Sequence, residues 1–171
     1  MSPLHPTLNP VQVLVFTPSG WIRGTFHVPA VKGMLTFLNT QEEILKLTEV
    51  SLPGSKHILP FLALQRNASF LVVPQGGMDA MKPEIISVPR ERRLVSCLFS
   101  LGSIRGRLDV PETLRTSDFL LRKPGFIELN QCHIGPNPYL DPKDTTGEAI
   151  PLVYVNSHAL VGTTEESGMG L

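Results

Sequence analysis

The sequence has no excess charge of either sign. Its 171 residues include 15 lysines and arginines and 15 aspartates and glutamates, so the formal net charge is zero. Without a basic balance there is no overall positive field to attract nucleic acid, and without an acidic excess there is no solvating tail. The 42% hydrophobic and 18% charged content is typical of a folded globular chain. Composition therefore excludes disordered and fibrous proteins, but it indicates no activity.

Long apolar runs are also missing. The longest strongly apolar stretch, residues 58–64, contains a proline and is far shorter than the roughly 20 apolar residues that a membrane-spanning helix needs. The opening segment MSPLHPTLNP has neither a basic flank nor an apolar core, so we expect no secretory signal. We therefore predict no membrane partner and a cytoplasmic location.

Cysteine is scarce, with only Cys97 and Cys132. Both lie within apolar runs (VSCLF and LNQCH), which favours buried free thiols that pack as small hydrophobic side chains. A disulfide between them stays open as an alternative, although one bridge does not make a disulfide scaffold.

Proline and glycine, by contrast, are abundant, with 16 and 14 residues. They separate short runs rich in valine, isoleucine, leucine and phenylalanine, and no long window has an apolar stripe at helical spacing. Short apolar runs between turn residues are typical of an all-β protein. We therefore predict the all-β class.

The chain resembles itself at a spacing of 82 residues. Residues 16–50 align without a gap on residues 98–132, and such internal similarity indicates a repeated structural unit. After an insertion at about 135–148, the similarity resumes between residues 60–64 and 151–155. The identical positions in the first copy are Gly20, Ile22, Arg23, Gly24, Val28, Pro29, Phe37, Leu38 and Leu47.

Each copy is predicted to form five strands. We place the first unit at 1–74, a linker at 75–93 and the second unit at 94–171, with the insertion as a loop of the second. A short helical turn is expected in the connection 111–125, where a Thr, Ser or Asp can cap it. The predicted strands are 11–17, 21–28, 44–52, 59–65 and 69–73, then 94–100, 103–110, 126–134, 150–156 and 159–163.

The second strand of each copy alternates between apolar and polar residues. This period of two predicts one buried face, with Trp21, Arg23, Thr25 and His27 on the outer face of the first copy. Gly24 and Gly106 fall on the inner face in mid-strand, where a missing side chain permits a bend or a close approach. Phe37 and Phe119 are expected to close the open end of each unit.

The segment from Gly20 to Phe26 resembles the first motif of the Sm-like small barrel, and residues 65–68 lie where that family places its tight turn. Ser157, His158 and Ala159 are similar to the Lys-His-Ala segment of the bacterial Sm-like RNA chaperone. The run around Arg115 in the second copy resembles an uncharacterised group of small bacterial domains. The resemblance implies two tandem five-stranded Sm-like small β-barrels related by internal duplication.

The residues with which Sm proteins bind RNA do not carry over. The family uses an Asp and Asn pair a few residues after the second-strand glycine. Here the corresponding positions hold Ala30 and Met34 in the first copy, and Glu112 and Thr116 in the second. A shared fold therefore does not imply a shared activity.

No pattern of catalytic or metal-binding residues is present. There is no phosphate-binding glycine loop, no nucleophile elbow and no His-Glu-x-x-His or paired Cys-x-x-Cys motif. Cys132 and His133 are adjacent, but neighbouring strand residues point to opposite faces and are poorly placed to bind one ion. We predict no catalytic residue, no metal and no cofactor.

One group of polar residues is a candidate interaction surface. A solvated sheet face with local ion pairs, such as Arg107 with Asp109 or Glu128, is the simpler interpretation. An exposed tryptophan beside an arginine can stack a nucleic-acid base or anchor a protein interface, and we prefer the interface. The candidate residues are Trp21, Arg23, Arg66, Arg105, Arg107 and His158.

Three functions fit these observations. The preferred one is a non-catalytic assembly module that self-associates, or binds a protein partner, through the edge strands 58–64 and 150–155. The alternative is an RNA or single-stranded nucleic-acid binding protein of Sm-like type, a partner that is possible but not favoured. The third is a small-ligand or enzymatic pocket between the repeats.

Overall fold

A computed structural model describes residues 7–41, 43–76, 88–122, 125–135 and 149–166. In these ranges the fold is all-β, as predicted, with two seven-residue helices, α1 (Met34–Thr40) and α2 (Thr116–Arg122). The strands are β1 (Leu8–Thr17), β2 (Gly20–Pro29), β3 (Ile44–Ser51), β4 (Ile58–Gln65), β5 (Leu71–Pro74), β6 (Arg90–Phe99), β7 (Gly102–Pro111), β8 (Phe126–Ile134), β9 (Ile150–Asn156) and β10 (Gly162–Glu165).

The ten strands of the described residues all belong to one antiparallel sheet. Their order is β10-β6-β7-β8-β9-β5-β1-β2-β3-β4, so the first half of the chain (β1 to β5 with α1) lies beside the second half (β6 to β10 with α2). The two predicted five-stranded barrels are not confirmed, because the sheet is not closed. Strand β5 has β1 on one side and β9 on the other, and therefore has no free edge with which to close the first half on β4.

The elements of the two halves occupy corresponding positions. β1, β2 and α1 each begin and end 82 residues before β6, β7 and α2. Each half has a register shift between its second and third strands, and a non-glycine residue with positive φ lies in the third strand: Glu49 in β3 and Gln131 in β8. A bulge of this kind bends a strand and increases its local twist. β4 and β9 then end 91 residues apart, as do the three-residue 3₁₀ turns that follow them.

Each half completes its hydrophobic core with side chains of the other. The first-half core includes Phe126, Leu152 and Tyr154, which come from β8 and β9. The second-half core includes Leu14 and Phe16 of β1 together with residues of β5. The three central strands β9, β5 and β1 are thus buried on both faces, and runs such as LVVP suit such strands because both side-chain directions are apolar.

The two mid-strand glycines lie where the chain packs most closely. A Cβ atom at Gly106 would lie 2.9 Å from Cys132 Sγ and 3.3 Å from the carbonyl oxygen of Asn130. At Gly24 it would lie 2.8 Å from a methyl group of Leu47. The predicted close approach is therefore confirmed, and its cause is the third strand, whose residues contact these positions beside the register shift.

Both connections between the second and third strands contain a helix, and Phe37 and Phe119 on these helices are buried. The structure differs from two other expectations. Thr25 is also buried, although the alternation placed it outside. β6 begins at Arg90, inside the predicted linker, and residues 136–148 of the predicted insertion lie outside the described residues. Within the described ranges, neither helix has the length or the apolar character to cross a membrane.

Candidate interaction surfaces

Trp21 is not on an open sheet face. Its ring packs against Phe16, with centroids 5.0 Å apart, and joins the second-half core as a partly buried member. The indole N–H is buried and has no hydrogen-bond partner within the described chain. Arg23, two residues further along β2, is exposed. Trp21 is therefore packed against the second-half core of this chain, whereas Arg23 is exposed.

Arg66 also lies between the halves. Its Nε donates to the carbonyl oxygen of Leu38 at 3.2 Å, and its guanidinium group lies 5.8 Å from the centre of the Phe126 ring. Asn39, at the end of α1, accepts a hydrogen bond from the Phe126 N–H at 2.7 Å and donates to the Phe126 carbonyl at 3.0 Å. Together these contacts fix the start of β8 against α1.

Asn156, which ends β9, is the second polar link. Its side-chain amide donates to the carbonyl oxygens of Arg66 at 3.2 Å and Ser69 at 3.0 Å, and it accepts from the His158 N–H at 3.1 Å. β9 pairs with β5 beside it, with Val155 opposite Leu71. We call this pairing of β5 with β9, together with the Asn39, Arg66 and Asn156 contacts, the internal joint.

Arg105 and Arg107 are exposed on β7 as predicted, but their surroundings are not purely cationic. Arg105 forms an ion pair with Glu166, and this contact is the main reason that the pKa of Glu166 lies below its usual value. The partner of Asp109 is Arg92, at 3.1 Å, rather than the expected Arg107. Acidic residues therefore offset part of the positive charge on this face.

His158 lines a cavity of about 960 Å³ in the second half, between α2 and β10. We call it the α2 cavity. Arg93 lies in its wall with its side chain 14% exposed, and it forms ion pairs with Glu91 at 3.1 Å and Glu165 at 3.9 Å. Leu120 and Leu121 of α2 give the cavity an apolar side. The cavity wall thus combines an arginine whose charge is balanced by two glutamates with an exposed leucine, Leu121.

Among the residues that the structure describes, β4 and β10 are the free edges of the sheet, because each has only one neighbouring strand there. The expectation that residues 150–155 form an edge was wrong, since β9 lies between β8 and β5. The other expected edge, residues 58–64, coincides with β4, where Phe61 is 52% exposed. Beside β10, Val161 is 73% exposed. Apolar side chains are thus available at both ends of the sheet.

Burial raises the pKa of three titratable core residues, Cys97, Cys132 and Tyr154. Both cysteines are free and buried, as predicted, and burial raises the pKa of Cys97 to about 11 and that of Cys132 to about 12. Burial likewise raises the pKa of Tyr154. Across the ranges that the structure describes, no group of three or more His, Cys, Asp or Glu residues could hold a metal ion.

The six candidate residues thus have different surroundings instead of forming one surface. Sequence reasoning missed Asn39 and Asn156, which join the two halves. A polar residue at the end of an apolar strand, as in PLVYVN, was the only available signal for Asn156. No family model, curated protein or solved structure matches the chain.

Proposed function

We propose that this protein is a non-catalytic assembly module that associates head to tail with further copies of itself through β4 of one copy and β10 of the next. Its halves are, in this proposal, tandem Sm-like units that arose by internal duplication. The observation that carries the proposal is the internal joint, in which the fourth strand of the second half pairs with the fifth strand of the first half.

The duplication is supported by the matching positions of the elements. The spacing of 82 residues holds for β1, β2 and α1, and the positive-φ residues Glu49 and Gln131 keep the same spacing. Unrelated segments have no physical reason to share a bulge at the same place in the same strand. Within each half, the strand order runs fifth, first, second, third, fourth.

Head-to-tail association follows from which strands remain at the edges. The internal joint uses the fourth strand of one half and the fifth strand of the other. Within the described ranges, the outer edges of the fourth strand of the first half (β4) and of the fifth strand of the second (β10) have no neighbouring strand. By correspondence, Leu64 of one copy lies opposite Gly162 of the next. An interface between two different surfaces generates rings or filaments.

The joint between chains is expected to be weaker than the internal joint. The internal joint buries Leu14 and Val73, whereas Ser96 and Thr164 occupy the corresponding positions in the second half. Less apolar surface is therefore removed from water when β10 receives a strand. Reversible, concentration-dependent association follows.

Two variants test whether the contact joins β4 of one copy to β10 of the next. Ala63→Glu places a charge on the β4 edge, and because Ala63 is exposed and lies opposite Lys46, the monomer tolerates it. Val161→Asp charges the β10 end. The wild type is expected to exceed its chain mass of 18.8 kDa in analytical ultracentrifugation. Each variant alone is expected to be monomeric.

An equimolar mixture of the two variants distinguishes head-to-tail pairing from other contacts. One variant keeps a free β10 and the other a free β4, so the mixture forms a dimer and nothing larger. Val31→Asp, at an exposed apolar residue away from both edges, is the control and associates as the wild type does. A wild type that stays monomeric at high micromolar concentration, or variants that fail to complement, would contradict the proposal.

A further inference from the structure

We infer that the α2 cavity is a socket for a second copy of this chain, which fills it with Phe61 of β4 and Ile44 at the start of β3. The inference rests on the proposed head-to-tail association. It goes beyond that proposal by naming the side chains of one copy that are buried on association and the cavity of the next copy that they fill.

The same place in the first half is already filled. The cavity-lining residues Arg93, Leu120 and Thr163 correspond to Val11, Leu38 and Val72, which lie in the first-half core. That core is completed by side chains of the second half: Phe126, Leu152 and Tyr154. No described segment supplies their counterparts to the second half, and the α2 cavity of about 960 Å³ lies there.

The counterparts are present on the free edge of the first half. Phe61 corresponds to Leu152, Ile44 to Phe126 and Ala63 to Tyr154. Leu152 is 7% exposed, whereas Phe61 is 52% exposed although its strand has the same place in its half. Phe61 is larger than its counterpart Leu152, and this extra volume partly offsets the volume lost where Ala63 stands in place of Tyr154. A second copy docked as in the internal joint therefore places Phe61 and Ile44 in the cavity.

The lip of the cavity also suits this occupant. Leu121 occupies the position in α2 that corresponds to Asn39 in α1. It is 81% exposed and therefore offers Ile44 an apolar contact. In this arrangement Glu43, which corresponds to Gly125, lies beside Leu121.

A disulfide between chains tests the placement directly. In the internal joint, a Cβ atom at Gly125 would lie 2.4 Å from the Asn39 side-chain oxygen, so these two positions are adjacent. Their counterparts are Glu43 and Leu121, both exposed. A chain carrying Glu43→Cys, mixed with a chain carrying Leu121→Cys under mild oxidation, is expected to give a covalent dimer on a non-reducing gel. Each variant alone gives none.

The native cysteines do not confuse this experiment, because both are buried with raised pKa values. The matched control is Val31→Cys mixed with Leu121→Cys, which gives no covalent dimer. In parallel, Phe61→Ser removes the main occupant without disturbing the fold, because Phe61 is half exposed. Because Phe61 is 52% exposed, docking buries about half of a phenylalanine, and its loss is expected to weaken association about 4- to 13-fold.

The outcomes separate this inference from the proposed function. A wild type that associates, with no covalent dimer and an unchanged Kd for Phe61→Ser, overturns the socket and leaves head-to-tail pairing in place. A wild type that does not associate overturns both. A covalent dimer together with weakened association of Phe61→Ser supports the socket.

Discussion

Asn156 is expected to hold the two halves of the chain together, and Asn156→Ala tests this role. The side chain is 2% exposed and makes three hydrogen bonds, two of which reach carbonyl groups of the first half. A typical hydrogen bond contributes about 0.5–1.5 kcal/mol to stability, and a buried group left without a partner costs about 1–3 kcal/mol. Because Ser69 is itself buried, its carbonyl cannot easily turn to water. We expect a loss of about 2–4 kcal/mol.

Urea unfolding followed by circular dichroism measures this loss. The midpoint should fall while the dependence on urea concentration stays the same, since the surface exposed on unfolding hardly changes. The measurement is made in the Ala63→Glu background, which keeps the protein monomeric under the proposed association. A broader or two-step transition would show that the halves unfold separately once the link is removed.

Gln65→Ala is the matched control. Gln65 ends β4 as Asn156 ends β9, but it is exposed and its side chain has no hydrogen bond in the described part of the chain. Its replacement should change stability by less than about 0.5 kcal/mol, as for most surface substitutions. If Asn156→Ala and Gln65→Ala have the same small effect, the internal joint does not depend on this amide.

Two further predictions concern the second-half core. Gly106→Ala should destabilise the protein by about 1–3 kcal/mol in urea unfolding, because a Cβ atom there meets Cys132 and a backbone oxygen. Gly162→Ala, whose nearest contact would be 3.9 Å away, should be tolerated, and equal effects would contradict this explanation. Cys97 and Cys132 should react with a thiol reagent at pH 8 only as fast as the protein unfolds, because burial suppresses the thiolate. Rapid reaction of the folded protein would show that the thiols are accessible.

Burial in the central strands explains why the halves do not form separate closed units. β5 and β9 both have hydrophobic side chains on their two faces, and a strand of this kind is stable only when covered on both sides. Pairing of these two strands brings side chains of each half into the core of the other, and this packing covers their faces. An isolated five-strand half of about 60–75 residues buries a smaller share of its surface and is only marginally stable.

Much of the fold followed from the sequence. The all-β class, the approximate positions of the ten strands and the close approach at Gly24 and Gly106 were predicted because they depend on local signals. Turn residues mark strand ends, a period of two marks a half-buried strand, and an inward glycine marks a near contact. The similarity at 82 residues also predicted that both halves share the same order of elements.

The candidate site was less predictable. Arg23 and Arg105 were correctly expected to be exposed, since each alternates with buried residues in its strand. Trp21 alternates in the same way and Arg66 lies in a predicted turn, yet both lie against residues supplied by other parts of the chain. Local alternation shows which face of a strand a residue occupies, but not whether a second layer or a second half covers that face.

The sequence by itself thus determined the secondary structure and the correspondence between the halves, because both arise from patterns within a few tens of residues. Only the tertiary structure decided which edges pair. β4 and β9 are similarly apolar strands, and one is buried while the other lies at the end of the sheet. Their difference depends on β5 lying beside β9, a contact between residues about 80 positions apart that no local pattern encodes.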